Sequence, residues 1–137
     1  EHDGAFIVGK IGKDLTVEQG HYAAQRIALS LLASLKDNNF ALWSRTSLTN
    51  PLTTAELGSL DHIKRIVKLT GFVNCTSDFT NQSGVMNGAT ELLVAVFGDC
   101  GRPARSALGM NALPFNVAVE IEAIVEVVPS VGANSKL

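Results

Sequence analysis

The chain has few residues of the types that mark metal-binding or disulfide-rich proteins. Its 137 residues include two cysteines and three histidines, and the net charge is −2. Cys75 and Cys100 form no CxxC pair, which predicts reduced structural thiols; a disulfide between them is the less favoured alternative. The histidines lack the spacing and the partner residues of a metal site. We therefore expect no metal centre.

The sequence also lacks long apolar runs and stripes of basic residues. No run is long enough to cross a bilayer, and residues 1–3 carry the wrong charges for a signal peptide. The small basic group of Lys64, Arg65 and Lys68 is interpreted as a solvated strand edge, with RNA contact as the alternative. These patterns predict a cytoplasmic protein, or else a mitochondrial one, without membrane contact and without nucleic acid as its partner.

Hydrophobic residues make up 46% of the chain, which predicts a single domain over residues 1–137 with a core of its own. One helix is predicted over residues 15–37, where Thr16 and Gln19 have capping-box spacing. A second is predicted over 81–97, with Gly98 as its stop. The predicted strands are residues 5–8, 66–73, 104–110 and 117–127. This order indicates an α+β fold with two helices on one face of a mixed or antiparallel sheet.

Two segments do not fit this pattern. Residues 38–56 are rich in Ser, Thr and Asn and contain Pro51, so we predict an inserted surface loop. Residues 129–137 are predicted to be a frayed tail.

Alternation along the predicted strands assigns their side chains to two faces of the sheet. In the last strand, one face carries residues such as Val119 and Ile121, and the other carries Ala118, Glu120 and Glu122. The second face is predicted to be half apolar, which favours contact between copies of the chain. Its predicted apolar members are Ile66, Phe72, Leu108, Met110 and Ile124.

An arginine lies inside one of the apolar strands. By the strand period of two, Arg105 shares a face with Ala107 and Gly109, whose small side chains would leave open space beside the guanidinium. A planar cation next to such space suits bidentate binding of a carboxylate or phosphate. The alternative is a structural ion pair with Glu120 or Glu122, and periodicity favours neither.

Four segments, in this order and spacing, resemble the RidA/YjgF family of imine deaminases, also known as L-PSP endoribonucleases. They are HIKRIVKLTGFVNCTSDF, VMNGATELLVAVFGD, RPARSALGM and LPFNVAVEIEAIVEV. The resemblance covers nearly the whole chain except residues 38–56 and the tail. It implies a chorismate-mutase-like fold, assembled as a homotrimer with ligand clefts between subunits.

The resemblance also implies an activity: hydrolysis of reactive 2-imino and enamine acids to 2-keto acids and ammonia, with no cofactor. It implies that Arg105 binds the substrate carboxylate and that Glu120 orients water, with Ala107, Gly109 and Asn87 as further substrate-binding residues. The alternatives are a non-catalytic trimeric module that binds carboxylates or partners, and an endoribonuclease that inhibits translation.

Besides the insertion at residues 38–56, the sequence departs from the family pattern at two places. Ala107 stands where the family often has cysteine, so thiol-dependent roles are not expected. The family's N-terminal hairpin has no apparent counterpart, which predicts an unpaired sheet edge and an incomplete cleft.

Overall fold

The computed structural model describes residues 6–36 and 59–128. Within these ranges two α-helices pack against a three-stranded sheet, which confirms the predicted α+β class. The elements are α1 (Val17–Lys36), β1 (Ile63–Asn74), α2 (Gln82–Phe97), β2 (Ala104–Met110) and β3 (Val119–Val127). The predicted loop at 38–56 and the predicted tail at 129–137 lie outside the described residues.

Both helices begin where their capping residues place them. The Thr16 amide donates to Gln19 Oε1 at 2.8 Å, and the Gln19 amide donates to Thr16 Oγ1 at 3.2 Å, which is the reciprocal capping box. At the start of α2, the Asn81 side chain accepts from the Gly84 amide at 3.2 Å. Gly98 ends α2 with a φ of 61°, a backbone conformation that glycine adopts readily. These contacts confirm the predicted start of α1, within two residues, and both predicted ends of α2; residue 37, the predicted end of the first helix, lies outside the described residues.

The sheet is mixed, and β1 is its central strand. β2 pairs with β1 in parallel, and β3 pairs with β1 in the antiparallel direction. Helix α2 makes the crossover that the parallel pair requires. Alternation along β1 defines an inner face, which carries Leu69, Gly71 and Val73 toward the helices, and an outer face, which carries Thr70 and Phe72. The hydrophobic core lies between the inner face and the two helices.

Two residues that alternation assigns to the outer face belong to the core. Ile66 is only 2% exposed because the pairing of β1 with β3 shifts register on both sides of it, at bulges that reverse the phase of the strand. Ala118 is fully buried because β3 begins one residue later, at Val119, and the Ala118 amide donates to the Ile7 carbonyl. Strict alternation therefore fails at both ends of the sheet.

The predicted strand at residues 5–8 is not a regular strand. Ala5 lies outside the described residues, and Phe6 and Ile7 have no strand assignment. Val8 makes a single antiparallel bridge to Val117, and the Ile11 amide donates to the Asn74 carbonyl at 2.8 Å. This segment therefore crosses the end of the sheet instead of adding a full strand to it.

Helices α1 and α2 come into close contact at Gly88. A Cβ atom built at Gly88 would lie 2.0 Å from the carbonyl oxygen of His21, so only glycine allows this separation of the helix backbones. The contact fixes the position of α2 at the turn that carries Asn87 and Thr90.

We expect Gly88→Ala to destabilise the fold by about 1–3 kcal/mol, because the added methyl forces the two helix backbones apart. Urea unfolding should show a lower midpoint with an unchanged slope. Ser83→Ala, at an exposed residue in the first turn of the same helix, is the matched control and should change stability by less than about 0.5 kcal/mol. Equal stability of the Gly88→Ala variant and the wild type would contradict the close packing of the helices.

Candidate functional site

Arg105 lies on the inner face of β2 and points toward α2. Its register partner on β1 is Leu69, which is fully buried. The guanidinium nitrogen Nη1 donates to Asn87 Oδ1 at 2.9 Å and to Thr90 Oγ1 at 3.1 Å. Both acceptors are uncharged, and among residues 6–36 and 59–128 no carboxylate lies within ion-pair distance of Arg105. The arginine is therefore oriented without being neutralised.

An open groove of about 670 Å³ runs beside Arg105, between α2 and the start of β2. Its lining combines an apolar wall with polar and charged side chains. The lining residues are Thr90, Glu91, Val94, Ala95, Arg102, Pro103 and Arg105. A small molecule with a carboxylate and a short hydrocarbon chain matches this lining, because the carboxylate can pair with a guanidinium and the chain can contact the wall.

The space predicted next to Gly109 is occupied. Gly109 shares the inner face with Arg105, but a Cβ atom built there would lie 2.8 Å from Gln82 Nε2 and 3.0 Å from Cys75 Sγ. Gly109 lines a separate cavity of about 290 Å³ with these two residues, and Ala107 packs against the core. The expectation that Gly109 leaves room beside the guanidinium is therefore wrong, and the room lies on the side of Thr90 and Pro103.

Glu120 lies on the outer face of β3, opposite to the face of Arg105. Its register partner is Phe72, and its chain neighbours Val119 and Ile121 pack in the core, so the Glu120 side chain points away from the helices. Glu122 lies on the same outer face, opposite Thr70. The alternative of a structural ion pair between Arg105 and either glutamate is wrong within one chain, because a whole sheet separates them.

The outer face around Glu120 is partly apolar, as predicted. Phe72 pairs with Leu108 on one side and with Glu120 on the other, so the three side chains form one row across the sheet. Leu108 is 46% exposed and Ile124 is 60% exposed on this face. The structure thus places one candidate, Glu120, on a partly apolar exposed surface, and it joins two others, Arg105 and Asn87, by a hydrogen bond.

Two cations of the basic group near the start of β1 pair with one carboxylate. Lys64 Nζ donates to Glu126 Oε1 at 2.7 Å, and Arg65 Nε donates to Glu126 Oε2. These hydrogen bonds, that of Lys64 first, lower the pKa of Glu126 below its usual range. Pairing of two of its three cations supports the interpretation of this group as a solvated strand edge.

Thr90 was not among the predicted site residues. The sequence carries one signal for it: Thr90 is a polar residue three positions after Asn87 in a helix rich in apolar residues, and this spacing puts the two side chains on one helix surface.

The two cysteines carry no bond to each other; Cys75 is buried and Cys100 is exposed. Among the described helices, none has the length and apolar character needed to span a bilayer.

Comparison with known proteins assigns the family. The family model described as Endoribonuclease L-PSP matches residues 5–127. The chain belongs to this family, which is also called RidA/YjgF. Protein TCP17 of Trypanosoma cruzi is 41% identical over 124 residues, which are 90% of this chain and 66% of that protein. The chain therefore spans just under two thirds of the length of this curated relative.

Two solved structures show the same fold. The protein Atu1372 of Agrobacterium tumefaciens, whose function is unknown, matches with a TM-score of 0.76 at 38% identity, over 94% of this chain and 71% of that one. A Shewanella oneidensis protein, provisionally named an endoribonuclease, has a TM-score of 0.75 at 25% identity, over 93% and 73%. The predicted membership of the RidA/YjgF family and the predicted fold are both confirmed.

The lowered pKa of Glu126 predicts a pH-dependent contribution to stability. Because Lys64 and Arg65 favour the ionised carboxylate in the folded state, the contribution is present above the ordinary pKa and is lost as pH falls through the lowered one. Glu126→Gln should therefore lower the urea midpoint at neutral pH, and the difference from wild type should shrink in acid. Ser83→Ala, which removes no ionisable group from an exposed residue of α2, is the control and should change the midpoint little at either pH. A Glu126→Gln difference as large in acid as at neutral pH would contradict this account.

Proposed function

We propose that this RidA/YjgF-family protein hydrolyses reactive 2-imino and enamine acids to 2-keto acids and ammonia. The observation that carries the proposal is the Arg105 guanidinium, which two uncharged side chains orient beside an open groove. Since the described residues supply no ion-pair partner, the charge is available to an anionic ligand. A carboxylate is the anion that every 2-imino acid carries, and it matches the planar guanidinium.

The groove can also hold the hydrocarbon chain of such a substrate. With the carboxylate at Arg105, the hydrocarbon chain of a small 2-imino acid can contact Val94, Ala95 and Pro103. Binding through one charged contact and one apolar wall suits a range of short chains, because no further polar group in the substrate is required.

In the proposed reaction, water adds to the carbon of the C=N bond. Glu120 accepts a proton from the attacking water, and the oxygen forms the new C–O bond while the C=N electron pair moves to nitrogen. The nitrogen takes this proton back from Glu120, which completes the 2-amino-2-hydroxy acid. Glu120 then removes the hydroxyl proton and transfers it to the nitrogen, so that the C–N bond breaks, ammonia leaves with the bonding pair, and the C=O bond of the keto acid forms. Imines hydrolyse readily in water, so fixing the substrate and one water molecule supplies most of the required acceleration.

This chemistry needs a second copy of the chain. Arg105 and Glu120 lie on opposite faces of the sheet, so a cleft that contains both combines the inner face of one copy with the outer face of another. The exposed apolar side chains of Leu108 and Ile124 provide an outer surface that association would bury. We propose a homotrimer, the closed ring that the family resemblance implies, with one cleft at each of its three interfaces.

A second candidate function is carboxylate binding without turnover. It is favoured by the separation of Arg105 from Glu120, since a chain that does not associate has the binding group without the group that activates water. Ligand binding that depends on Arg105, together with an absence of keto-acid release, would identify this alternative.

We expect the protein to accelerate keto-acid release from 2-iminobutanoate generated in situ by a pyridoxal-phosphate dehydratase. Arg105→Ala should lower kcat/KM by about ten- to a hundredfold, because it removes a charge-assisted contact with the carboxylate. Glu120→Gln should lower kcat by about a hundredfold or more, because it removes the proton acceptor.

The control for these variants is Arg26→Ala, which removes an exposed arginine from α1 and should leave the rate unchanged. Keto acid can be followed by its absorbance after derivatisation. A rate for Arg105→Ala equal to that of wild type would contradict the proposed function.

The proposed assembly predicts a solution mass about three times that of the 14.5 kDa chain. Ile124→Asp should shift the mass toward that of the single chain, because it places a charge on the outer face that association buries. Leu29→Asp, at an exposed apolar residue of α1, should leave the mass unchanged. Light scattering coupled to gel filtration measures all three, and a wild-type protein with the mass of one chain would contradict the assembly.

A further inference from the structure

The two contacts made by Arg105 occupy one end of its guanidinium. Nη1 carries two hydrogens, and it has two acceptors, Asn87 Oδ1 at 2.9 Å and Thr90 Oγ1 at 3.1 Å. The donors left for a ligand are those on Nε and Nη2, which lie along one edge of the plane. A carboxylate that binds through two parallel hydrogen bonds therefore has one available edge.

The Thr90 hydroxyl is arranged to accept this hydrogen bond. Its own hydrogen is directed to the backbone carbonyls of the preceding turn, with Thr90 Oγ1 at 3.2 Å from Asn87 O and 3.4 Å from Met86 O. Threonine in a helix commonly makes such bonds, which fix its χ1 angle. With the hydrogen engaged there, a lone pair of the oxygen faces the Arg105 guanidinium.

We propose that Thr90 is a positioning residue, which together with Asn87 fixes the plane of the Arg105 guanidinium so that the substrate carboxylate binds side-on at the Nε–Nη2 edge. This inference rests on the proposed function, because it assigns the orientation of the substrate at the same site. It adds a residue that does not itself bind the carboxylate.

The physical reason for such a residue is the flexibility of arginine. A free arginine side chain loses rotamer freedom when it binds, and fixing it beforehand removes part of that cost from the binding step. Thr90 suits the task because α2 is itself fixed against α1 by the close contact of Gly88 with His21. The substrate carbon that water attacks then has a defined position relative to the bound carboxylate.

The test compares two variants, each of which changes a single group of the Thr90 side chain. Thr90→Val keeps the branched shape and removes the oxygen, and Thr90→Ser keeps the oxygen and removes the methyl. Affinity for 2-oxobutanoate, the product keto acid, is measured by calorimetry, and KM and kcat are measured with 2-iminobutanoate. Thr90→Ala, which removes both groups without adding an apolar methyl, is a second variant that lacks the hydroxyl.

We expect Thr90→Val and Thr90→Ala to weaken 2-oxobutanoate binding about tenfold and to raise KM in parallel, with a smaller change in kcat. Thr90→Ser should stay within about twofold of wild type, since its hydroxyl can accept the same hydrogen bond. Similar urea midpoints for the variants would separate the effect from loss of folding.

Wild-type affinity in both Thr90→Val and Thr90→Ala, with binding lost in Arg105→Ala, would overturn the role of Thr90 and leave the proposed function intact. An equal loss in Thr90→Ser and Thr90→Val would also overturn it, since packing of the side chain would then explain the effect. Unchanged binding and turnover in Arg105→Ala would overturn the proposed function itself, and the role of Thr90 with it.

Discussion

The register of β1 against its two neighbouring strands determines where every candidate site residue lies. Leu69 and Val73 are fully buried against the helices, so a shift of β1 by one residue would expose both. With that register, the pairing of Leu69 with Arg105 turns the arginine inward, and the pairing of Phe72 with Glu120 turns the glutamate outward. Helix α2 then supplies Asn87 and Thr90 on the inner side, and none of the described elements covers the outer side. One packing constraint thus places Arg105 and Glu120 on opposite faces of the sheet.

Much of this arrangement could be predicted from the sequence, because it depends on local signals. Caps mark the ends of the helices, and the period of two correctly places Arg105 and Gly109 on one face of β2. What could not be predicted depends on contacts between distant segments. The bulges that turn Ile66 inward arise from the pairing of β1 with β3, and the filling of the space at Gly109 arises from Gln82 and Cys75. A small residue indicates missing volume, but the sequence does not say which neighbour fills it.

The groove and the outer face together favour an account in which binding and catalysis come from different copies of the chain. In the proposed assembly, the uncompensated Arg105 would give each copy a place for a carboxylate, and the apolar surroundings of Glu120 would give each copy a surface to bury. Burial next to a second copy would also exclude bulk water from the glutamate and strengthen its electrostatic interaction with the reacting groups. Association and turnover are then linked, which distinguishes the proposed deaminase from a binding module.

The most direct test of this account is activity in mixed oligomers. The Arg105→Ala and Glu120→Gln proteins each release keto acid much more slowly than wild type. The two are unfolded, mixed in equal amounts and refolded together. If each site takes Arg105 from one copy and Glu120 from another, random mixing leaves both residues intact in about a quarter of the sites, and about a quarter of wild-type keto-acid release should return. No recovery in oligomers of wild-type mass would show that the two residues do not act across the interface.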